Sequence, residues 1–353
     1  MDNAGVILCQ DFKQELADAI NLCTPDQLYI LTDDNTHELC LPLLKGIDSM
    51  TNAHHIIIGA GDVNKNLKTL SDVWQVLSDG GATRHSLLIC VGGGMVTDLG
   101  GFAASTFKRG IKYINIPTTL LAMVDAAVGG KTAINFNGLK NEIGVFQPAF
   151  RVLLETEFLK TLDKHNIYSG YAEMLKHGLI SDHNTLNELL AFDTDNIDYA
   201  QLKQLVGQSV AVKENIVKKD PKEQGIRKAL NLGHTIGHAF ESLALCQQRP
   251  ILHGYAVAWG LVCELYLSHV NVQFPRDVMR RVIHFVHEHY GSFTFTCDDY
   301  DQLYEFMLHD KKNKGGVINF TLLNDVGELR LNQTATQSII YETLDFYREC
   351  MGL

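Results

Sequence analysis

The histidines of the segment NLGHTIGHAF, residues 231–240, have a spacing suited to binding a metal ion. His234 and His238 are four residues apart, so on a helix they share one face and could hold the same ion. No glutamate lies between them, which excludes the H-E-x-x-H pattern of zinc proteases. A pair of core histidines that binds nothing is the structural alternative to a metal site.

Two more residues extend this set. Glu173 in GYAEMLKHGLI (170–180) and His253 in PILHGYAVAWGL (250–261) both lie in apolar helical stretches. Glu173, His234 and His253 would give two histidines and one glutamate with a coordination position left open, which is typical of catalytic zinc. Spacing alone does not decide which two histidines are ligands, and His238 is equally suited to an acid or base role. Lys176 lies one turn after Glu173, and the apolar flanks favour a buried face over an exposed ion pair.

Polar side chains are also concentrated in residues 115–144, NIPTTLLAMVDAAVGGKTAINFNGLKNEIG. Asp125 stands in an apolar stretch and Lys131 follows a glycine pair, and a buried charge needs a partner. Either these two form a structural ion pair, or the segment binds the anionic oxygens of a ligand. The remaining polar residues are expected in one short loop: Asn135, Asn137, Lys140, Asn141 and Glu142.

The segment CVGGGMVTDLGGFAAS (90–105) places three glycines between an expected strand and an expected helix. At a helix N-terminus, Gly92, Gly93 and Gly94 let backbone N–H groups approach a phosphate, although a tight structural turn explains them equally well. The spacing is not G-x-G-x-x-G. We expect Asp98 in the first helical turn, either complementing the helix dipole or contacting a nucleotide.

The elements that must position these residues form two domains. Residues 1–160 alternate β-type runs at 27–32, 54–59, 86–91 and 112–117 with helical stretches at 36–47 and 66–80, which predicts a parallel sheet covered by helices. Residues 161–353 are mainly helical, with long helices expected at 199–219, 275–291 and 337–350 and a hairpin at 315–331. We expect the domains to pack closely around a cleft. Lys213, Arg227, Lys311 and Lys312 are expected near helix or hairpin junctions.

Composition narrows the class of protein. The 353 residues carry a net charge of −11, which disfavours nucleic acid and anionic membranes as partners. An anionic ligand would therefore require a local concentration of cations. No apolar run reaches the ~18 residues of a membrane helix, no signal peptide is recognisable, and the eight cysteines form no C-x-x-C pair. We expect a soluble cytoplasmic protein with reduced thiols.

Six motifs in order resemble the 3-dehydroquinate synthase family, a subgroup of the sugar phosphate cyclases related distantly to metal-dependent polyol dehydrogenases. They are GGGMVTDLGGFAASTFKRG, IPTTLLAMVDAAVGGKTAIN, GLKNEIGVFQP, GYAEMLKHG, ALNLGHTIGHAFE and LHGYAVAWG. The resemblance runs from about residue 30 to HDKKNKGG at 309–316. It implies a dehydroquinate synthase-like fold, with an α/β domain that binds NAD and a helical domain that binds metal.

The resemblance also implies roles for individual residues. Glu173, His234 and His253 would bind a divalent metal, zinc or else cobalt, while His238 would face the substrate as a proton-handling group. Arg109 would reach the phosphate pocket of the partner subunit in a homodimer. The implied substrate contacts are Asp125, Lys131, Asn141, Lys176, Lys213, Arg227, Asn231 and Lys311. The implied NAD contacts are Asp33, Asn35, Asp62, Lys65, Gly93, Gly94, Asp98, Thr118, Thr119, Lys131, Lys140 and Thr161.

Two departures from the family pattern lie on the nucleotide side. Asp62 stands where the family has glutamate in a P-x-G-E-x-x-K pattern, and GAGDVNK (59–65) also lacks the proline. TLD (161–163) replaces T-L-P. These departures bear on the ribose contacts and leave the implied catalytic residues unchanged.

The implied reaction converts 3-deoxy-D-arabino-heptulosonate 7-phosphate to 3-dehydroquinate and phosphate, a lyase-type step of the shikimate pathway to chorismate and aromatic amino acids. NAD would be reduced and reoxidised within each turnover. The alternatives are another sugar phosphate cyclase, a polyol dehydrogenase such as glycerol dehydrogenase, and a non-catalytic binding protein. Lys213, Arg227 and Asn231 disfavour the first, the abundance of lysines disfavours the second, and the complete set of polar residues disfavours the third.

Overall fold

The computed structural model describes residues 5–309 and 316–353. The chain divides into two compact units, Met1–Asp163 and Lys164–Leu353. The boundary expected at residue 160 falls in the short 3-10 helix Thr156–Thr161, at the end of the first unit.

A six-stranded sheet forms the centre of the first unit. Its strands are β1 (Gly5–Leu8), β2 (Leu28–Asp33), β3 (His54–Ile58), β4 (Leu87–Gly92), β5 (Lys112–Pro117) and β8 (Arg151–Leu154). They lie in the order β1-β8-β5-β4-β2-β3, and every pairing is parallel. β2 and β4 are buried along their whole length, as in sheets covered on both faces. The predicted parallel sheet and its four predicted strands are confirmed.

The strand order places a topological switch point at the carboxyl ends of the strands. From β2 the chain runs to β3 at one edge, and it then returns to place β4 on the other side of β2. The carboxyl ends of β2 and β4 therefore flank a topological switch point, where open α/β sheets bind their ligands.

Four α-helices belong to this unit: α1 (Phe12–Cys23), α2 (Asp34–Leu39), α3 (Leu67–Asp79) and α4 (Gly94–Thr106). The helix expected over residues 36–47 is wrong in length. α2 ends at Leu39, and a separate 3-10 helix, Leu41–Leu44, follows with Pro42 in its first turn. Proline lacks the N–H that would continue the helix and restricts the residue before it, so the helix ends there.

A separate antiparallel hairpin joins β6 (Lys131–Phe136) to β7 (Leu139–Phe146). The single short loop expected for the polar cluster is therefore wrong. Asn135 lies on β6, whereas Lys140, Asn141 and Glu142 lie on β7. Thr132 and Ile134 are buried, and they anchor the hairpin while its polar residues remain accessible.

The second unit is mainly helical. Its helices are α5 (Lys164–Ser181), α6 (His183–Ala191), α7 (Tyr199–Lys219), α8 (His234–Cys246), α9 (His253–Val272), α10 (Arg276–Tyr290), α11 (Tyr300–Leu308) and α12 (Gln337–Cys350). The strands β9 (Phe320–Asp325) and β10 (Glu328–Gln333) form the expected hairpin. α5 is buried at every position from Ile167 to Ile180, so its polar side chains lie inside the unit.

No helix in the described ranges 5–309 and 316–353 is long and apolar enough to cross a membrane. The eight cysteines are free thiols, and five of them are buried.

Candidate active site

Three side chains of the second unit converge on one point. Glu173 lies in the middle of α5, while His234 and His253 are the first residues of α8 and α9. Glu173 Oε1 is 3.4 Å from Nε2 of His234 and 3.6 Å from Nε2 of His253. Glu173 is completely buried, and the side chain of His253 is 27% exposed. The cluster is therefore accessible from its histidine side.

This geometry fits a divalent metal. Zinc bonds of about 2.0–2.2 Å in tetrahedral arrangement place two ligand atoms about 3.3–3.5 Å apart, close to the two separations given above. Among the described residues, Glu173 Oε1 accepts no hydrogen bond of standard geometry although it is fully buried. A cation would satisfy this oxygen, since buried polar atoms normally have partners. The three residues would hold the ion and leave a coordination position for substrate.

Glycine next to His253 lets the ligand helices approach each other. A Cβ atom at Gly254 would lie 1.8 Å from the carbonyl oxygen of Ser169, which is one turn before Glu173 on α5. The backbone N–H of Gly254 also donates a hydrogen bond of 3.1 Å to Ser169 Oγ. The start of α9 is therefore held directly against α5, and His253 is brought to Glu173.

Hydrogen bonds direct both imidazole rings. His234 Nδ1 is 3.1 Å from the carbonyl oxygen of Leu232, and His253 Nδ1 is 3.2 Å from Glu241 Oε2. Each acceptor favours a proton on Nδ1, which leaves the Nε2 lone pair directed at the metal position. Glu241 was not singled out from the sequence, although it follows His238 by three residues and so shares its helix face.

Charges around the cluster keep Glu173 ionised. Lys176 forms a buried ion pair with Glu173, and the two side chains are 1% and 0% exposed. Although burial opposes ionisation, the charges of Lys176 and His234 hold the pKa of Glu173 well below its ordinary value. Burial likewise disfavours charge on His253, but Glu241 and Glu173 raise its pKa to about 10. In the metal-free protein, His253 thus carries a proton that a metal must displace.

His238 leaves a second arrangement open. Its ring centroid is 5.3 Å from that of His234 and 6.0 Å from that of His253. His238, Glu241 and His253 also offer ligand atoms within 4.8 Å of one another. This second set shares His253 with the first, so one ion would use only one of them.

Lys213 and Arg227, two further basic candidates of the second unit, are buried within it. Lys213 is 5% exposed within α7, so its expected place at a helix junction is wrong. Arg227 is 2% exposed in the 3-10 helix Ile226–Asn231, where its guanidinium donates to the carbonyl oxygen of Pro221. Asn231 Nδ2 donates to Glu223 Oε1 over 3.1 Å. Lys311 and Lys312 lie outside the described residues.

In the first unit, the candidates follow the carboxyl ends of strands. Asp33 ends β2, and its carboxylate caps α2, with Asn35 exposed in the first turn of that helix. Gly93 and Gly94 connect β4 to α4, with Gly93 at the N-cap and no side chain capping the helix. Both segments flank the topological switch point. The expected strand-to-helix turn at these glycines is confirmed.

Lys65 connects two of these segments. Lys65 is 4% exposed, and its Nζ lies 2.5 Å from both Asp98 Oδ2 and Asn141 Oδ1. Asp98 is beyond the first turn of α4, so its expected position there is wrong, and its partner is Lys65 instead of the helix dipole. The hairpin residue Asn141 is thereby held against the loop that follows β3.

Asn135 strengthens this connection and was not predicted as a site residue. Its Nδ2 donates to Asp62 Oδ2 over 3.1 Å, and its Oδ1 accepts from the backbone N–H of Asn141 over 2.9 Å. Its own backbone N–H donates to the carbonyl oxygen of Lys65 over 2.8 Å. Asp62, the residue that departs from the family pattern, is therefore engaged with the hairpin.

The other candidates of this unit occupy separate places. Thr118 and Thr161 both hydrogen-bond the buried thiol of Cys40, whose pKa is raised by burial. Thr119 packs against Gly93, with its Cγ2 3.1 Å from the position of a Cβ there. Three more candidates are exposed: Arg109, Lys131 and Lys140. Asp125 is half-buried in the π-helix Ala122–Ala126, a helix type frequent at functional sites.

Two family models match consecutive parts of the chain. They are 3-dehydroquinate synthase N-terminal, over residues 55–169, and 3-dehydroquinate synthase C-terminal, over residues 170–313. The chain belongs to the 3-dehydroquinate synthase family. It is 57% identical to the 3-dehydroquinate synthase of Parabacteroides distasonis over 353 residues, which covers 100% of both chains. It is 39% identical to that of Oceanobacillus iheyensis, over 92% of this chain and 90% of the relative.

Solved structures share the fold. ValA, a 2-epi-5-epi-valiolone synthase from Streptomyces hygroscopicus with NAD+ and Zn2+ bound, has a TM-score of 0.85 at 24% identity and matches 98% of this chain and 97% of its own. Glycerol dehydrogenase from Schizosaccharomyces pombe has a TM-score of 0.67 at 14% identity, over 97% of this chain and 87% of its own. These likenesses show the dehydroquinate synthase-like fold, and the sequence relatives show the family.

Proposed function

We infer that the chain catalyses the 3-dehydroquinate synthase reaction, the NAD- and metal-dependent conversion of 3-deoxy-D-arabino-heptulosonate 7-phosphate to 3-dehydroquinate and phosphate. The observation that carries this inference is the cluster of Glu173, His234 and His253 in a chain 57% identical to a 3-dehydroquinate synthase over its full length. The enzyme is a carbon–oxygen lyase.

We propose Glu173, His234 and His253 as the metal ligands, in preference to the set that contains Glu241. Glu241 contacts Nδ1 of His253, so it serves better as the carboxylate that orients this ring. When bound, the metal would polarise the substrate's carbon-5 oxygen and NAD would supply a reversible hydride acceptor. His238 would then be left to exchange protons with the substrate.

Buried cations would bind the anionic substrate. Lys176, Lys213 and Arg227 are each 5% exposed or less in a chain of net charge −11. Lysine and arginine side chains bind phosphate and carboxylate oxygens through charge-assisted hydrogen bonds, and a phosphorylated acid carries both groups. We propose these three, with Asn231 and Lys311 of the same unit, as substrate contacts, together with Asp125, Lys131 and Asn141.

We propose NAD binding at the switch point of the parallel sheet. The residues that follow the carboxyl ends of neighbouring strands include the Gly93–Gly94 turn, where α4 begins without a side-chain cap and its first backbone N–H groups suit a pyrophosphate. ValA and 2-deoxy-scyllo-inosose synthase, which share the fold, have been solved with NAD+ bound. The proposed contacts are Asp33, Asn35, Asp62, Lys65, Gly93, Gly94, Asp98, Thr118, Thr119, Lys131, Lys140 and Thr161.

We also propose a homodimer in which Arg109 reaches the partner's phosphate pocket. Lys108 and Arg109 have φ angles of 50° and 70°, and Arg109 is exposed. Left-handed backbone at consecutive non-glycine residues costs free energy and is common at ligand sites. Arg109→Ala should raise the KM for the phosphorylated substrate at least about tenfold, because a hydrogen bond to a charged group contributes about 1.5–3 kcal/mol, and it should leave NAD affinity unchanged. An unchanged KM would remove Arg109 from the phosphate site.

The eight free thiols agree with a cytoplasmic location, where thiols stay reduced, and we propose that location.

The experiment that tests the function compares substrates. Purified protein with zinc and NAD is given the heptulosonate 7-phosphate, a hexose 6-phosphate or glycerol, and released phosphate, 3-dehydroquinate and NADH are measured. We expect equal amounts of phosphate and 3-dehydroquinate from the heptulosonate alone. Phosphate from the hexose phosphate would indicate another sugar phosphate cyclase, and NADH accumulation from glycerol would indicate a polyol dehydrogenase.

A further inference from the structure

We propose that Glu264, a residue outside the ligand set, is a positioning residue that fixes the tautomer and direction of His234 through one backbone peptide group. This inference rests on the proposed metal site. It assigns a function to a carboxylate that is 0% exposed on α9, three turns beyond His253.

Both oxygens of Glu264 bind the start of α8. Oε2 accepts a hydrogen bond of 2.7 Å from the backbone N–H of Gly233, and Oε1 accepts one of 3.2 Å from that of Ile236. α8 has Gly233 as its N-cap and no side-chain cap of its own. A residue from another helix thus supplies the cap, directly beside the first ligand residue of α8.

The contact with Gly233 extends to the ring of His234. The Gly233 N–H and the Leu232 carbonyl belong to the same planar peptide group, so they point in opposite directions and turn together. At the other end of this group, the Leu232 carbonyl oxygen is 3.1 Å from His234 Nδ1. The path from carboxylate to imidazole is therefore Glu264 Oε2, the Leu232–Gly233 peptide and His234 Nδ1–H.

This path has two consequences for the metal site. A carbonyl held in place accepts the proton of Nδ1, which leaves Nε2 as the unprotonated nitrogen facing Glu173. A carboxylate on the N–H also polarises the peptide, which makes its carbonyl a stronger acceptor. Glu264 thereby acts on His234 as Glu241 acts directly on His253.

Packing leaves this peptide group little freedom. Gly233 has φ +80°, and a Cβ there would lie 2.9 Å from Leu261 and 3.1 Å from the carbonyl oxygen of Val257. A Cβ at Gly260 would lie 1.9 Å from the carbonyl oxygen of Gly233. α8 and α9 are in backbone contact at this point, so the Glu264 carboxylate and the peptide meet in a fixed geometry.

The variant Glu264→Gln tests the proposal. Glutamine has nearly the same size as glutamate, but an NH2 group replaces one of the two carboxylate oxygens. One of the two backbone N–H groups, of Gly233 or Ile236, therefore loses its acceptor and faces a donor. The zinc dissociation constant, measured by competition with a chelator well below the melting temperature, should rise about ten- to a hundredfold, the usual effect of losing a group that orients a ligand. Glu328→Gln, an exposed carboxylate of the same unit that accepts from Asn324, should leave it unchanged.

The zinc affinity of the variants and the tautomer of His234 separate this inference from a purely structural role. A folded Glu264→Gln variant that melts earlier but binds zinc within about twofold of the parent would reduce Glu264 to a helix cap. If Glu264→Gln does not fold, Glu264→Asp, whose carboxylate is one methylene shorter, is held to the same criterion. Nitrogen NMR of the zinc-loaded parent must show the proton of His234 on Nδ1, and a proton on Nε2 would overturn the proposal. A parent that binds no zinc would overturn the proposed metal site as well.

Discussion

Replacing Lys176 by methionine removes the positive charge beside Glu173 and keeps most of the side-chain volume. The ion pair is completely inside the protein, with side chains 1% and 0% exposed, so solvent cannot replace the lost ammonium group. In the metal-free protein Glu173 is left as a buried carboxylate whose main counter-charge is gone. A bound divalent metal would restore that counter-charge. The variant should therefore be much less stable without zinc than with it.

The structure sets the magnitude of this effect. Breaking a buried ion pair by removing one partner costs about 3–5 kcal/mol. For a unit the size of Lys164–Leu353, each 1 kcal/mol changes the melting temperature by about 2–4 °C. We expect Lys176→Met to lower the melting temperature by about 6–20 °C in chelator, and by less than half as much in saturating zinc.

The matched control is an ion pair with the same sequence spacing on the surface. Lys160 and Glu157 are also three residues apart, but their side chains are 50% and 58% exposed. Lys160→Met should cost less than about 0.5 kcal/mol with or without zinc, because exposed pairs contribute little. The assay is calorimetry or circular dichroism of both variants in chelator and in zinc. Equal destabilisation of Lys176→Met in the two conditions would refute the view that Lys176 and the metal compensate the same buried charge.

Two further predictions concern proton release and the nucleotide site. Because Glu241 and Glu173 raise the pKa of His253 to about 10 despite its burial, its charged form stabilises the metal-free protein fully below the unfolded pKa of about 6.5. That contribution is lost as the pH rises toward 10. Zinc binding at pH 8 should therefore release about one proton from His253, which calorimetry in two buffers of different ionisation enthalpy would measure. If no proton is released, His253 is already neutral in the metal-free protein. Asn135→Ala should weaken NAD binding at least about fivefold, the effect of about 1 kcal/mol for one lost hydrogen bond, because Asp62 and the hairpin separate. Gln14→Ala, which loses an exposed hydrogen bond to Asp18, should have no effect on NAD, and equal affinities for all three proteins would exclude a role for Asn135.

Regular elements were predictable where the hydrophobic period was clear. The strand expected at 112–117 and the helices expected at 199–219 and 337–350 have the expected bounds, because each is one uninterrupted pattern. The helix expected at 36–47 failed at Pro42, whose missing N–H outweighed the amphipathic spacing around it. The hairpin of β6 and β7 was missed since its second strand is exposed throughout and shows no buried face.

The candidate site was predictable in its residue types and less so in its contacts. Spacing and side-chain chemistry predicted Glu173, His234 and His253 as one metal site, and the structure groups them. The burial of Lys213 depends on tertiary packing, which the hydrophobic pattern of its own helix does not indicate. Glu264 is one acidic residue in an apolar helix, and its partners are backbone groups 28 and 31 residues away in the sequence. In the sequence, the only sign of a function for Glu264 is a single acidic residue within an apolar helix.

The central claim is that this enzyme oxidises its substrate with NAD and reoxidises the NADH within the same turnover, at the metal site formed by Glu173, His234 and His253. The most direct measurement mixes the zinc-loaded protein with excess heptulosonate 7-phosphate and much less NAD than substrate, and follows phosphate and NADH absorbance together. Our account predicts that phosphate exceeds the added NAD many times over while no NADH accumulates. Phosphate release that stops at the amount of NAD added, with matching NADH, would contradict it.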